Sequence, residues 1–270
     1  MKTAAPRPRS GETSDSFYRG RVRIFQKRKG YRFSVDAPVL ADFIQPRRTD
    51  DILEIGTGSG IIPLLLSIKP FGRITAVEIQ RSLANLARRN IALNGLEDRI
   101  AVVQGDFRAY VPGRKFDIVF SNPPYIQKAT GHLSATAEKA VAKHEIHGDI
   151  KDLMRKTAEW LKPSGRACFI YPEGRRDDFM EAVESSGLRM RIMRPIRPRR
   201  GAPVNLFLAE IGHSARAVKA AAKTRRLPAL VLFGPKGTYT KEAEAIFSGR
   251  KVSPVRAAAE RRRVARIRKK

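Results

Sequence analysis

From Asp51 onward, short blocks of apolar residues alternate with longer amphipathic stretches. Asp51 to Ile55, Arg73 to Glu78, Arg99 to Gln104, Phe116 to Ser121 and Arg166 to Tyr171 have the length and apolar character of buried strands. Between them, Ile61 to Ile68, Arg81 to Leu93 and Ile150 to Leu161 space their apolar residues as helices do. Asn94-Gly95 and Pro163-Ser164-Gly165 supply stops for the last two. Such alternation predicts a parallel sheet covered by helices on both faces. The end of the pattern differs, because a helix from about Arg175 to Ser186 leads to Leu188 to Ile196 and then, after a loop, to Val204 to Ile211. Two neighbouring strands joined so closely leave no room for a crossover and must be antiparallel. The expected class is α/β, with a seven-stranded, mostly parallel sheet ending in an antiparallel hairpin.

Upstream, Arg21 to Phe33 alternates as a short strand or hairpin, and Ser34 is placed to cap a helix from about Asp36 to Ile44. This divides the chain into a disordered basic leader (1–16), a main domain (17–212) and a basic, largely flexible extension (213–270). A short strand, Ala229 to Phe233, and a short helix, about Lys241 to Phe247, are embedded in the extension.

Charge sharpens the picture. The formal net charge is +28, and the segment after His213 carries 17 basic against 3 acidic residues, half of that total. A polyanionic partner is implied, nucleic acid first. Cys168 is the only cysteine and sits in an apolar run, so neither a disulfide nor a thiolate metal site is expected. His132, His144, His147 and His213 show no ligand spacing, and no metal is expected. Membrane-span and secretory-signal patterns are both missing, so a cytoplasmic location is the default.

Four places carry chemistry. Asp51-Ile-Leu-Glu-Ile-Gly56-Thr-Gly58-Ser-Gly60 is a strand running into a glycine loop that opens a helix, a geometry that brings backbone close to a nucleotide. The third glycine falls one position earlier than a dinucleotide loop requires, and Ile61 occupies the place of that glycine. This suits S-adenosylmethionine, which has no pyrophosphate to cradle, with Glu54 as an acceptor for its ammonium group. Glu78, ending the next strand, is placed to accept both ribose hydroxyls. Asp106 follows the third strand and can accept from the adenine amino group, with Phe107 or Ile79 flanking the ring; either acid alone could be a cap or turn residue, but their joint placement at successive strand ends disfavours that reading. Ser121-Asn122-Pro123-Pro124-Tyr125 follows the fourth strand. A planar amino nitrogen is a poor nucleophile because its lone pair is delocalised. The Asn122 side-chain oxygen and the Pro123 carbonyl can accept its two N–H groups and turn the lone pair outward, while Tyr125 stacks on the extruded base.

With these motifs in place, the chain resembles the class I methyltransferases that carry Asn-Pro-Pro-Tyr, and among them the tRNA1(Val) adenine-N6 methyltransferases, which modify the adenosine beside the anticodon. The resemblance spans about Phe25 to Glu210. It includes Phe25-Gln26-Lys27-Arg28-Lys29-Gly30-Tyr31-Arg32-Phe33-Ser34-Val35-Asp36-Ala37, Lys143-His144-Glu145 and Gly201-Ala202-Pro203. It implies the Rossmann-like class I methyltransferase fold, S-adenosylmethionine as cofactor and tRNA as partner. It also maps Phe33, Ser34 and Asp36 to the lip of the cofactor pocket; His144 and Glu145 match the family without a role that chemistry assigns. Release-factor glutamine N5 methyltransferases share Asn-Pro-Pro-Tyr, but that family usually carries a helical N-terminal domain. Amino methylation of a base in rRNA or DNA, and a non-catalytic RNA-binding role on the same scaffold, are the other readings. Arg191, Arg194, Arg197, Arg199 and Arg200, with the basic tail, are expected to contact RNA phosphates.

Overall fold

The computed structural model describes residues 6–29, 34–123, 150–214 and 223–250. The first elements are the antiparallel strands β1 (Glu12–Phe17) and β2 (Val22–Lys27). Ordered structure therefore begins inside the segment expected to be a disordered leader. The physical reason lies far along the chain: Arg89 grips Glu12 through two N–O contacts of 2.7 and 2.8 Å.

The alternating region follows its apolar pattern closely. Helix α1 (Asp36–Phe43) precedes β3 (Asp51–Ile55), α2 (Ile61–Leu66), β4 (Arg73–Glu78), α3 (Arg81–Leu93), β5 (Ile100–Gln104) and β6 (Phe116–Ser121). Helix α4 (Ile150–Trp160) runs straight into β7 (Leu161–Pro172), and α5 (Arg176–Ser185) leads to β8 (Leu188–Arg199) and β9 (Leu206–His213). The turn expected at Pro163-Ser164-Gly165 becomes a bulge at the start of β7: Phe116 pairs with Leu161, and pairing then resumes at Ile118 with Arg166.

The main sheet has the order β5-β4-β3-β6-β7-β9-β8, and β9 is antiparallel to both of its neighbours. Two strands beyond the expected seven lie on the outer edge of β8: β10 (Arg225–Arg226) and β11 (Leu230–Phe233), both parallel to it. With α6 (Lys241–Phe247), whose N-cap Thr240 accepts from Ala243 N–H at 3.2 Å, they make residues 223–250 part of the fold and not a flexible extension. They cover what would otherwise be an open sheet edge.

Side-chain alternation along the strands divides the core. Ile52, Ile74 and Ile118 pack on one face with α1 and α2 residues such as Leu40 and Leu65. Leu53, Val77 and Val119 pack on the other with Leu153, Met154 and Phe179. For function the decisive feature is the chain path: from β3 it moves outward through β4 and β5, then returns to β6 on the other side of β3. Such a reversal opens a crevice at the carboxyl ends of β3 and β6, where ligands of open α/β sheets bind.

Candidate active site

The glycine loop occupies one wall of this crevice. Gly56, Gly58 and Gly60 have φ of 75, 58 and 81°, left-handed values that favour glycine. Gly60 also passes tightly over α3, where a Cβ would sit 3.2 Å from Ala87 Cβ. The loop is fastened to β4, because Gly56 and Thr57 N–H groups both donate to Val77 O, at 2.9 and 3.1 Å.

Two buried carboxylates lie beneath it. Glu78 accepts from Gly58 N–H at 2.7 Å and from Gln80 N–H at 2.9 Å, so it braces the loop and the start of α3 together. Burial raises its pKa, and these backbone donors oppose the rise. A carboxylate offers about four lone-pair sites, so Glu78 keeps capacity for a hydroxyl donor beside its backbone donors. Glu54 is 1% exposed, and its Oε2, like Ser59 Oγ, has no hydrogen-bond partner among the described residues. Burial, with Glu78 nearby, pushes the Glu54 carboxyl up to about 8. An orphaned buried acceptor costs about 1–3 kcal/mol, and a cationic donor arriving there would relieve it. This fits the ammonium end of S-adenosylmethionine, as the ribose fits Glu78.

On the adjoining strand, Ser121 Oγ donates to Ile55 O at 2.7 Å and clamps the end of β6 to the end of β3. Asn122 and Pro123 follow at once, both half-buried. The Asn122-Pro123 segment therefore starts one strand spacing, about 4.8 Å, from where the glycine loop starts. Tyr125 and Phe33 lie outside the described residues, as do His144 and Glu145. Asp36 opens α1, half-buried, with its N–H donating to Ser34 Oγ at 3.3 Å.

The sequence model of the methyltransferase small domain matches residues 32–170. The chain belongs to this methyltransferase family. It is 30% identical over 166 residues to the tRNA1(Val) (adenine(37)-N6)-methyltransferase of a Flavobacteriaceae bacterium, covering 61% of this chain and 70% of that one. It is likewise 30% identical over 188 residues to the enzyme of that name from Citrobacter koseri, covering 68% and 74%. A predicted O-methyltransferase from Agrobacterium tumefaciens has the same fold, with a TM-score of 0.61 and 19% identity over 80% of this chain and 97% of that chain.

Around the methyltransferase crevice, the structure modifies several expectations. Asp106 is engaged with Arg108: its Oδ1 accepts from the Arg108 N–H and Nε at 2.8 and 3.0 Å, and its Oδ2 lies 2.5 Å from Nη2. The side-chain hydrogen bond from Arg108 holds the Asp106 carboxyl below its usual range. An adenine amino group would have to share this acid with Arg108. Phe107 and Ile79 are both half-buried near their strand ends, as a ring-flanking role requires.

The five arginines assigned to phosphate divide. Arg194 is 3% exposed, pairs with Glu242 at 2.6 Å and donates to Pro228 O at 3.2 Å. It is a strut between β8 and α6, and its expected contact with phosphate is corrected on that ground. Arg191 is half-buried, donates to Gly165 O at 3.0 Å, and burial lowers its pKa; its charge faces inward as well. Arg197 donates to Ala202 O and ties off the β8–β9 loop. Arg199 and Arg200 are exposed. Because Leu206 pairs with Pro172 at the carboxyl end of β7, their loop lies at the same end of the sheet as the crevice.

One structural residue of the site gave no motif. Asn90 is fully buried on α3; its Oδ1 accepts from Phe25 N–H at 2.7 Å, and its Nδ2 donates to Phe25 O at 3.0 Å and Ser59 O at 2.9 Å. It joins the β1–β2 hairpin to the glycine loop. The only signal in the sequence was a polar residue on the apolar face of α3, between Ala87 and Ile91. Among the described residues no group of three or more His, Cys, Asp or Glu could hold a metal ion, and no helix is long and apolar enough to cross a membrane.

Proposed function

We propose that the protein methylates N6 of an adenine in tRNA, the adenosine 3′ of the anticodon (position 37) of a valine tRNA, with S-adenosylmethionine as donor. The observation that carries this reading is the clamp between β3 and β6, which sets Asn122 beside the glycine loop and the buried Glu54 carboxyl with its unpartnered Oε2. The names of the relatives supply the nucleoside.

Glu54 would hold the cofactor's ammonium, Gly56, Gly58 and Gly60 its methionine portion, Glu78 its ribose and Asp106 its adenine, with Phe33 and Asp36 at the lip. When bound, the cofactor supplies a methyl group made electrophilic by the sulfonium. The remaining work belongs to the chain. The Asn122 side-chain oxygen and the Pro123 carbonyl accept the two N–H groups of the target amine, which draws its nitrogen toward tetrahedral geometry and aims the lone pair at the methyl group. Tyr125 supplies the stacking face for the extruded base. Positioning provides most of the rate, and no dedicated base is required. A tRNA substrate places the reaction in the cytoplasm.

The test is incubation with labelled S-adenosylmethionine and total cellular RNA, followed by digestion to nucleosides. Label should co-migrate with N6-methyladenosine and trace to a tRNA. Label in another nucleoside, or only in protein glutamine when release factor is supplied, would overturn the proposal.

A further inference from the structure

The extension that covers β8 builds a second feature at the crevice end of the sheet, outside the matched methyltransferase domain. Because β11 is parallel to β8, with Leu230 beside Ile196 and Phe233 beside Arg199, the loop leaving β11 emerges next to Arg199 and Arg200. That loop is stiff: Gly234 N–H donates to Thr238 O at 2.8 Å, Gly237 N–H to Gly234 O at 3.1 Å, and Thr240 N–H to Leu232 O at 2.9 Å. It returns Tyr239 opposite Phe233 in the ladder. The two rings stack at 5.0 Å with an interplanar angle of 21°, and Phe247 closes against Tyr239 at 4.6 Å. Tyr239 is nevertheless 43% exposed, one of few large apolar side chains so placed among the described residues.

The acids on α6 are paired, and basic residues nearby are exposed. Glu242 is paired with Arg194 at 2.6 Å and Glu244 with Arg250 at 3.5 Å, whereas Arg199, Arg200 and Lys236 are exposed at the same corner. A partly exposed aromatic ring held by its neighbours, at the same end of the sheet as exposed cations, suits an unstacked base and its phosphates. We propose that Tyr239, with Arg199, Arg200 and Lys236, forms a docking platform for a single-stranded segment of the RNA substrate, remote from the methylated nucleotide. β11 lies four strand spacings from β6, so the platform is on the order of 20 Å from Asn122. It engages a nucleotide outside the pocket, and through it the extension selects RNA with an open loop over a plain duplex. The inference rests on RNA being the substrate.

The experiment compares the full chain with its Tyr239→Ala, Tyr239→Phe and Lys236→Glu variants. Each is titrated with an RNA hairpin bearing an adenosine-containing loop, with a duplex of equal length and with polyglutamate, at several salt concentrations. Tyr239→Ala should weaken hairpin binding by about 5- to 100-fold and leave duplex binding and the salt slope unchanged. Tyr239→Phe should bind like the parent. Lys236→Glu, on an exposed loop and independent of ring packing, should weaken both RNAs and flatten the slope. S-adenosylmethionine affinity should hold in all three. If the parent methylates RNA but Tyr239→Ala and Lys236→Glu bind the hairpin unchanged, the platform is wrong and the substrate assignment stands. If the parent binds polyglutamate as tightly as RNA and methylates no RNA, both fall.

Discussion

At the scale of single residues, Glu54 gives the proposed cofactor site a measurable signature. Its folded-state pKa is raised to about 8 by burial, against an ordinary value of 4.5. Between those values the folded protein holds a proton that the unfolded chain releases, so stability falls as pH rises through that window, with a slope approaching 1.4 kcal/mol per pH unit. Glu54→Gln should lessen this slope in the cofactor-free protein, seen as denaturation midpoints that decline less steeply from pH 6 to 8, above the range of Asp42, which burial raises to about 6. In the parent, a cationic donor favours the carboxylate, so cofactor affinity should rise with pH and binding should release protons below about pH 8; calorimetry in buffers of different ionisation enthalpy measures this. An identical pH slope in parent and variant would remove Glu54 from the site. Asn122 is the complementary case. Asn122→Ala should lose most turnover while keeping much of its affinity for S-adenosylmethionine, because the acceptor works chiefly as the amine pyramidalises. Single-turnover rates and calorimetric affinity separate the two, and near-parental turnover would place the methyl acceptor elsewhere. Glu54, Glu78 and Asn122 were legible because each is fixed to a strand end by local spacing. Asn90 and Arg194 were not, because the partners Phe25 and Glu242 lie 65 and 48 residues away.

At the scale of elements, apolar periodicity specified β3, β4, α3 and β6 to the residue, since each is buried on faces that its own sequence marks. Failures occurred where pairing is decided by distant chain. β1 is polar and short, and it holds through β2 and the Arg89–Glu12 pair. β10 holds through two ladder positions on β8. Arg194 tests this distinction, because an RNA-facing arginine and a strut between β8 and α6 respond differently to removal. Arg194→Ala should cost about 1–3 kcal/mol by stranding Pro228 O and Glu242, lowering the thermal midpoint. The salt dependence of RNA binding should stay as it was, since a paired, buried guanidinium releases no counterions. A flattened salt slope with unchanged stability would reverse the assignment.

Across the whole molecule, part of the C-terminal basic charge rides on the sheet edge. Residues 223–250 are bound to the sheet edge, and their Arg225, Arg226 and Lys236 ride on ordered backbone. Residues 251–270 add nine basic and one acidic side chain. A truncation after Arg250 and one after Ser214 therefore have different expected outcomes. Removing 251–270 should keep the thermal midpoint and the affinity for S-adenosylmethionine while reducing the salt slope of RNA binding, by about 0.7–0.9 for each phosphate no longer neutralised. Removing 215–270 also uncovers the β8 edge, exposes the core partners of Leu230 and Ile246, and strips Arg194 of both Glu242 and Pro228 O. It should lower the midpoint and promote self-association through the bared strand. Light scattering and thermal melts of the two truncations decide the matter: equal stability would mean that the extension is an electrostatic arm throughout, with β10, β11 and α6 contributing nothing to the fold.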